Sequence, residues 1–401
     1  MRYFICCILA FTFVNTVDAK KHFKVRPGLD TLMQKSDKWL KGKRIALIVN
    51  HSAVDSKGRH ILDLLYPQYK VVKIFAPEHG VRGALDEHVD DEKDTKTGIP
   101  IVSLYQRKKK APTNEDLADV DVLIFDIQEI GLRYYTYAST MVMAMKAAKS
   151  AGKTMYILDR PNMAGPLGVY GPLLEKKFHG GFAGYYPIPI AHGMTMGELA
   201  LYYNKTFDIG ANIRVMKMAN YRRGMYYDET GLPWKNPSPS IVRMASVIGY
   251  HLAGAFETLN ISVGRGTDHP FEVYGAPFFD AQKITRELTQ AKLPGLKFTP
   301  TTFTPTRSAF KGKACHGFKL AITNRRKIQP MRTVITIGRI LYKNLPEETR
   351  KANWARVANG IGDTAFIERI AKGENYKKLL KLLKKEVHGF IKSRKPYLLY
   401  R

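Results

Sequence analysis

Five apolar stretches of the chain each run directly into a group of chemically capable side chains. Each stretch has the length and the β-branched or apolar character of a buried strand. The five stretches are Arg44–Val49, Val71–Phe75, Asp121–Phe125, Thr154–Leu158 and Tyr186–Ile190. In an open parallel sheet the carboxyl ends of the strands face one edge, and ligands bind there. We therefore expect the polar groups that follow these stretches to converge on one site.

These polar groups supply acids, bases and amides that can bind or transform a polar substrate. A second source is a polar, glycine-rich loop in the second half of the chain, which contributes Glu257, Asn260 and Arg265. In chain order, the candidate site residues are Asn50, Glu78, His79, Arg82, Asp126, Arg133, Tyr134, Asp159, Arg160, His192, Glu257, Asn260 and Arg265. Such a set is typical of a site for hydroxyl and carboxylate groups, with aromatic faces for sugar rings.

The spaces between the apolar stretches carry helical patterns, so strand and helix alternate. The predicted helices are 59–65, 114–118, 138–150 and 195–203. Repeated β-α units predict an α/β fold with a doubly wound parallel sheet. Beyond Phe207 the rhythm changes to a mixture of helices and short strands, which predicts a second, smaller α+β domain. We place the first domain at residues 20–205 and the second at residues 206–401.

Residues 1–19 read as a secretory signal peptide. Arg2 supplies a positive start, an apolar run spans residues 4–14, and Ala19 ends a small-residue cleavage site. The run is too short for a comfortable membrane span, so no stable membrane insertion is expected after cleavage. Cys315 is then the single cysteine of the mature chain, which excludes an internal disulfide and cysteine-based metal sites. The protein is expected in the periplasm or outside the cell.

The formal net charge of +29 favours acidic partners. Nucleic acid is not expected, because the chain has no reader motif and is predicted to be exported. A basic helix at residues 376–395 allows membrane binding, although packing against the domain is the favoured interpretation. An acidic cell-wall polymer fits the charge and the predicted location together. The sequence leaves the oligomeric state open.

Several motifs that mark known chemistries are absent from the chain. There is no Gly-x-x-x-x-Gly-Lys loop and no Gly-x-Gly-x-x-Gly after the first strand, so no nucleotide cofactor is expected. The chain also lacks the Gly-x-Ser-x-Gly elbow of serine esterases. No metal is required, but a metal-dependent hydrolase that uses His51, His79 and His192 remains an alternative because these residues follow strands of the same sheet.

Each candidate residue also has a structural interpretation. Glu78 can act as a proton donor if it is partly desolvated, or it can pair with Arg82 in a turn. Asp159 and Arg160 can bind substrate, or they can fix two loops to each other. The tyrosines of residues 134–137 can stack on sugar rings, or they can pack beneath the sheet. Similarly, His192 can be a core histidine whose hydrogen bonds go to the backbone.

Five motifs in order give the chain a likeness to a known family. They are Pro77–Gly80, Phe125–Gln128 with Gly131–Tyr137, Leu158–Asn162, His192–Leu199 and Asn260–Thr267. Together these motifs resemble the exo-β-N-acetylmuramidases of the NamZ type, a family formerly known as DUF1343. The resemblance extends from about Val25 to Tyr400. Three departures from the family pattern are Glu129 in place of Asp, Met163 in place of Pro, and Thr258–Leu259 in place of Gly-Thr.

The resemblance implies a Rossmann-like N-terminal domain, a smaller C-terminal domain and a cleft between them. It also implies that the substrate is a peptidoglycan-derived muramyl glycan, from whose non-reducing end N-acetylmuramic acid is released. Within this hypothesis Glu78 is the proton donor, and Asp126, Asp159 and Glu257 are candidates for the second carboxylate. Arg133 and Arg265 are expected to bind the lactyl carboxylate. A non-catalytic peptidoglycan-binding protein is the alternative from a different functional class.

Overall fold

The computed structural model describes residues 24–78, 80–82, 92–105 and 109–401. The predicted signal peptide lies outside this part of the chain, as does His79. Within the described residues, no helix combines the length and the apolar character needed to cross a membrane.

A seven-stranded sheet forms the centre of the first domain. Its strands are β1 (Arg44–Val49), β2 (Lys70–Ala76), β3 (Glu92–Lys93), β4 (Pro100–Ser103), β5 (Val122–Asp126), β6 (Thr154–Leu158) and β7 (Ile213–Met216). Their order across the sheet is β3-β4-β2-β1-β5-β6-β7. Strand β3 is antiparallel to β4, and every other neighbouring pair is parallel. This is the strand order of a Rossmann-like fold, in which the order reverses beside β1.

Helices cover both faces of this sheet, which explains why the interiors of the central strands β1 and β5 are apolar. The helices are α1 (Gly28–Met33), α2 (Ser36–Leu40), α3 (Ile61–Leu65), α4 (Tyr137–Ser150) and α5 (Met196–Thr206). In β1, Leu47 packs with α1–α3 on one face, whereas Ile48 packs with α4 and α5 on the other. Alternate residues of a strand point to opposite faces, so a strand buried on both sides needs apolar residues at every position.

The structure confirms the predicted helices at α4 and α5. Thr195 accepts from the backbone of Glu198, whose side chain in turn accepts from the backbone of Thr195, so the predicted capping box is present. The helix predicted at residues 114–118 is wrong, because this segment forms turns.

The fifth predicted strand, Tyr186–Ile190, is also wrong. Its two prolines, Pro187 and Pro189, lack the N–H groups that a central strand needs for its ladder. The sheet is completed instead by β7, which lies beyond the predicted domain boundary at residues 205 and 206. Strand β7 therefore belongs to the large sheet although it follows the predicted boundary.

The second domain contains a three-stranded antiparallel sheet with helices packed against it. Strands β8 (Val273–Ala276), β9 (Leu296–Phe303) and β10 (Cys315–Ile322) lie in the order β8-β10-β9. The helices are α6 (Met244–Ala253), α7 (Ala281–Gln290), α8 (Pro330–Asn344), α9 (Glu347–Asn353), α10 (Val357–Ile361), α11 (Thr364–Ala371) and α12 (Tyr376–Arg394). Helix α12 is the predicted basic helix, and it buries Leu379, Leu383 and Phe390.

The last residues of the chain return to the first domain. The Tyr400 hydroxyl donates to Asp159 at the end of β6, with an oxygen–oxygen distance of 2.7 Å. The backbone N–H of Leu399 donates to Glu198 in the first turn of α5 at 2.7 Å. These bonds hold the end of the second domain beside the carboxyl edge of the large sheet.

Gly28 at the start of α1 allows a close approach to the large sheet. A Cβ atom at this position would lie 2.4 Å from the Asp159 nitrogen and 2.4 Å from the Met216 oxygen. We therefore expect Gly28→Ala to lower the free energy of unfolding by about 1–3 kcal/mol. Urea denaturation measures this change. Gly389→Ala in α12 is the control, because a Cβ there meets nothing within 4 Å; an equal loss in both variants would contradict the close approach.

Candidate active site

A cleft of about 360 Å³ lies where the two domains meet. It is lined by residues from both domains, in particular by Glu78, Tyr134, Tyr135, Tyr250, Glu257, Arg265 and Phe271. Four of these belong to the predicted set of candidates, namely Glu78, Tyr134, Glu257 and Arg265. The volume is that of a site for a small molecule or for one unit of a polymer.

Glu78 is fixed at the carboxyl edge of the sheet, two residues beyond β2. The Thr136 hydroxyl donates to the Glu78 carboxylate at 3.3 Å, and the Tyr137 hydroxyl contacts the Glu78 carbonyl oxygen at 3.4 Å. Behind them, the Asn50 amide donates to the Tyr137 hydroxyl at 2.9 Å. Asn50 itself is fully buried and supports the wall of the cleft. The first turn of α4 thus holds Glu78 toward the second domain.

Glu257 and Arg265 form an ion pair on the opposite wall of the cleft. The Arg265 Nε atom lies 2.5 Å from one oxygen of Glu257, and Nη2 lies 3.1 Å from the other. The Arg265 guanidinium also lies over the Phe271 ring, 4.9 Å from its centre. The Glu257 and Arg265 side chains are 29% and 24% exposed, so both remain open to a ligand. This bidentate pairing sets the orientation of both side chains.

Two glycines shape the loop that carries Arg265. Gly264 and Gly266 have φ angles of 79° and 77°, which side chains rarely adopt. The glycines on either side of Arg265 therefore allow the positive φ angles that this loop needs. The glycine-rich loop predicted from the sequence is present. Asn260 lies at the start of the same loop with a φ of 56°, but it is exposed and does not line the cleft.

Aromatic rings form the remaining walls of the cleft. The Tyr134 hydroxyl donates to the Tyr250 carbonyl oxygen at 3.1 Å, and the Tyr250 and Phe271 rings meet edge to face at 4.6 Å. Burial raises the pKa of Tyr250, and the negative charge of Glu257 raises it further, followed by a smaller effect of Glu78. The Tyr250 hydroxyl therefore stays protonated, and it lies close enough to Glu257 and Glu78 for both charges to raise its pKa. The sequence alone did not identify Tyr250 or Phe271. Tyr250 lies in an apolar stretch typical of a core, and Phe271 is a single aromatic residue next to Glu272.

Asp126 does not reach the cleft. It is fully buried, and Arg160 donates to its two oxygens at 2.5 and 2.9 Å. Arg160 also donates to the Val54 carbonyl oxygen at 2.7 Å. Burial raises the pKa of Asp126, and Arg160 opposes this shift. Because neither side chain is accessible to a ligand, the pair joins two loops and is not part of the cleft.

Asp159 is also fully buried. Thr195 and Tyr400 donate to one of its oxygens, each at 2.7 Å, and the Gly197 N–H donates to the other at 2.8 Å. Burial raises the pKa of Asp159 to about 6. The structural interpretation of Asp159 therefore fits the geometry, whereas a position beside a reacting sugar does not.

The expected position of Arg133 at the edge of the sheet is wrong. Its guanidinium is buried and donates to four carbonyl oxygens, those of Pro172, Ile188, Gly360 and Ile361. Burial lowers the pKa of Arg133 to about 10. Because both of its Nη groups donate to backbone carbonyl oxygens, Arg133 fastens the first domain to the second, and it does not line the cleft.

His192 and Glu129 lie together in the interior. His192 accepts from the Met194 N–H at 3.2 Å, and its Nε2 atom lies 3.8 Å from the Glu129 carboxylate. Burial lowers the pKa of His192 to about 3, so the ring is neutral near pH 7. Burial also raises the pKa of Glu129 to about 8, against hydrogen bonds from the Gly131 and Leu132 backbone. His192 is thus a core histidine.

Arg82 lies in a separate cavity beside the cleft and pairs with Asp94 and Asp63. The alternative in which Arg82 pairs with Glu78 in a turn is therefore wrong, because Arg82 pairs with these two aspartates. The metal-dependent alternative is not supported by a ligand cluster: within the described parts of the chain, no three His, Cys, Asp or Glu side chains are close enough to hold a metal ion. His51 instead contacts the Asn236 carbonyl oxygen at 2.6 Å.

The fold and the cleft define a two-domain α/β protein with one glutamate from each domain facing a common ligand space. Residues 45–245 match the family model described as exo-beta-N-acetylmuramidase NamZ, N-terminal, and residues 248–400 match the corresponding C-terminal model. The chain is 41% identical over 383 residues to peptidoglycan beta-N-acetylmuramidase NamZ of Bacillus subtilis (strain 168). This alignment covers 94% of the present chain and 92% of that protein.

Two crystal structures of DUF1343 family proteins from Bacteroides fragilis NCTC 9343 share the fold. One, at 1.65 Å resolution, is 31% identical with a TM-score of 0.85; the other, at 1.30 Å, is 32% identical with a TM-score of 0.77. Each comparison covers 94% of this chain and 99% of the other. The chain belongs to the NamZ family of exo-β-N-acetylmuramidases, and the protein is therefore a glycoside hydrolase.

The buried Glu129 predicts a pH dependence of stability. Its pKa rises from an ordinary value of 4.5 to about 8 on folding, so between these values the folded protein holds a proton that the unfolded chain has lost. The free energy of unfolding contributed by Glu129 therefore falls as the pH rises through this window, by up to about 1.4 kcal/mol per pH unit. Relative to Glu129→Gln, the wild-type protein should lose stability from pH 5 to pH 8.

Urea denaturation across this pH range measures the difference between the two proteins. Glu348→Gln, at an exposed glutamate in α9, is the matched control and should keep the wild-type pH dependence. A constant difference between wild type and Glu129→Gln at every pH would show that Glu129 does not titrate in this way.

Proposed function

We propose that this enzyme releases N-acetylmuramic acid from the non-reducing ends of peptidoglycan fragments. The family and the Bacillus subtilis relative support this activity. The observation that carries the proposal is that Glu78 of the first domain and Glu257 of the second line the same cleft. The basic surface of the chain fits a substrate with lactyl carboxylates, and export to the periplasm or beyond would bring enzyme and substrate together.

Hydrolysis of a glycosidic bond needs an acid that protonates the leaving oxygen. We assign this role to Glu78. Glu78 is half-buried in the cleft and its carboxylate is held by Thr136, while the half-buried Tyr250 lies close enough for the charge of Glu78 to raise the Tyr250 pKa. Asp126 and Asp159 are excluded from this role in the proposal because ligands cannot reach them.

The second group at the reacting sugar is Glu257 in this proposal. Its pairing with Arg265 fixes the carboxylate and keeps it facing the cleft. Two roles are compatible with this position: Glu257 acts on the anomeric carbon or its attacking water, or it orients the acetamido group of the substrate as an internal nucleophile. In both cases Arg265 is placed to attract the lactyl carboxylate, and the partly exposed rings of Tyr134 and Tyr250 offer surfaces for the sugar.

Removing the acid of Glu78 tests the proposal directly. In Glu78→Gln the amide keeps the size of the side chain but donates no proton, so kcat should fall on the order of 10²–10⁴-fold. Release of N-acetylmuramic acid from a disaccharide with an unactivated leaving group measures this loss.

The exposed Glu348→Gln variant is again the matched control and should keep wild-type activity. Wild-type rates in Glu78→Gln would contradict the assignment of the proton donor. If wild-type protein binds peptidoglycan but releases no sugar, the non-catalytic binding protein is the correct alternative.

The ion pair on the opposite wall makes a separate prediction. Arg265→Lys retains the charge but loses the planar bidentate contact with Glu257. We expect kcat/KM for the disaccharide to fall about tenfold, which corresponds to about 1.4 kcal/mol. Arg369→Lys is the matched control, because Arg369 pairs with Glu374 in an exposed position. Equal rates for both lysine variants and the wild-type enzyme would contradict a role for the Arg265–Glu257 pair.

A further inference from the structure

A second cavity, of about 720 Å³, lies beside the cleft on the first domain. The lining residues that matter for its chemistry are His51, Arg59, Arg82, Trp234, Lys235 and Asn236. The proposed hydrolysis of a terminal sugar in the cleft assigns no role to these side chains.

Two chain segments form walls of both spaces, so the cavity adjoins the cleft. In the first segment, Glu78 lines the cleft and Arg82 lines the second cavity. In the second, Trp234 lines the cavity and Ser238 lines the cleft.

The segment between Trp234 and Ser238 is fixed from both sides. His51 contacts the Asn236 carbonyl oxygen at 2.6 Å from the side of the cavity. From the side of the cleft, the Tyr137 hydroxyl contacts the Pro237 carbonyl oxygen at 3.4 Å. The segment from Trp234 to Ser238 therefore forms a fixed boundary between the second cavity and the cleft.

Trp234 gives the cavity a fixed aromatic surface. Its indole N–H donates to the Asn236 side chain at 2.8 Å, and its ring packs edge to face against Tyr227 at 5.5 Å. Nevertheless the side chain remains partly exposed. A rigid, partly exposed indole is well suited to contact the apolar face of a sugar ring, because little conformational freedom is lost on binding.

Among the described residues that line the cavity, Lys235 differs from the two arginines in its ion pairing. Arg59 pairs with Asp55 at 2.6 Å, and Arg82 pairs with Asp94 and Asp63. In contrast, Lys235 is exposed and forms no ion pair with any residue that the structure describes. The described lining of the cavity thus combines an aromatic surface with the ammonium group of Lys235.

We propose that the second cavity binds the part of the glycan that leaves, with Trp234 beneath a sugar ring and Lys235 beside a carboxylate of the next muramyl unit. This inference rests on the proposed function. When the terminal sugar occupies the cleft, the rest of the chain must continue outside it, and the adjoining cavity offers the space. The carboxylate belongs either to the lactyl group itself or to an attached stem peptide; both present the same chemistry to Lys235.

Two substrates separate the cavity from the cleft. A chromogenic N-acetylmuramic acid glycoside fills the cleft, whereas a tetrasaccharide with muramic acid at its non-reducing end also reaches the cavity. For Trp234→Ala and Lys235→Glu, we expect the ratio of kcat/KM for the tetrasaccharide to that for the chromogenic glycoside to fall about tenfold. Lys372→Glu, at an exposed lysine of the second domain, makes the same charge change and should leave the ratio at its wild-type value.

Three forms of the tetrasaccharide identify the group that Lys235 contacts. The second muramyl unit carries a free lactyl carboxylate, a stem peptide with its own carboxylate, or a lactyl group reduced to the alcohol. Lys235→Glu should lower the ratio for one or both of the acidic forms and leave it unchanged for the alcohol; the affected form shows the source of the carboxylate.

The outcomes distinguish this inference from the proposed function. If the wild-type enzyme cleaves both substrates and both variants keep the wild-type ratio, the second cavity does not bind the leaving glycan. If Lys235→Glu affects the alcohol as strongly as the acids, the carboxylate contact is wrong. If the wild-type enzyme cleaves neither substrate, the proposed function itself fails.

Discussion

Buried carboxylates hold the carboxyl edge of the large sheet together. Asp126 and Asp159 end neighbouring strands and have no exposed surface. A buried carboxylate is costly unless charges or hydrogen bonds compensate it, so each one requires a fixed set of partners. Asp126 binds Arg160, whereas Asp159 gathers Thr195, Gly197 and Tyr400. The loops around the cleft and the end of the chain are positioned by these requirements.

The contact between the domains follows the same principle. Arg133 reaches the carbonyl oxygens of Gly360 and Ile361, and the His251 ring contacts the Ile130 carbonyl oxygen at 2.8 Å. In both contacts one partner, Arg133 or Ile130, lies in the loop that follows β5, and the other partner lies in the second domain. Since this loop also carries Tyr134, the aromatic wall of the cleft is fixed by interactions that lie outside it. Substrate then meets side chains whose positions are already set.

Much of the first domain could be predicted from its sequence because its strands and helix ends are specified by residues close together in the chain. Strand β1 has the predicted bounds, and the capping box at Thr195 is present. The strand predicted at residues 186–190 is wrong because prolines alternate with its apolar residues. Prolines cannot donate the backbone hydrogen bonds of a central strand, and a pattern of apolar residues alone does not show this. The place of β7 in the first sheet depends on long-range pairing with β6, which local sequence patterns do not reveal.

The site was harder to predict, since every strand end carries a polar cluster. Arg133 and Arg265 are both flanked by chemically capable residues, yet one is buried against backbone carbonyls and the other faces the cleft. This difference depends on contacts with distant segments. Tyr250 and Phe271 enter the site for the same reason, because only the approach of the second domain brings them to Glu78.

The most direct test of this account is a crystal structure of the Glu78→Gln variant with an N-acetylmuramyl disaccharide. The account predicts that the muramyl ring lies in the cleft, with its glycosidic oxygen within hydrogen-bonding distance of the residue 78 side chain and Glu257 near the anomeric carbon or the acetamido group. A muramyl ring bound elsewhere, with the glycosidic oxygen away from residue 78, would contradict it.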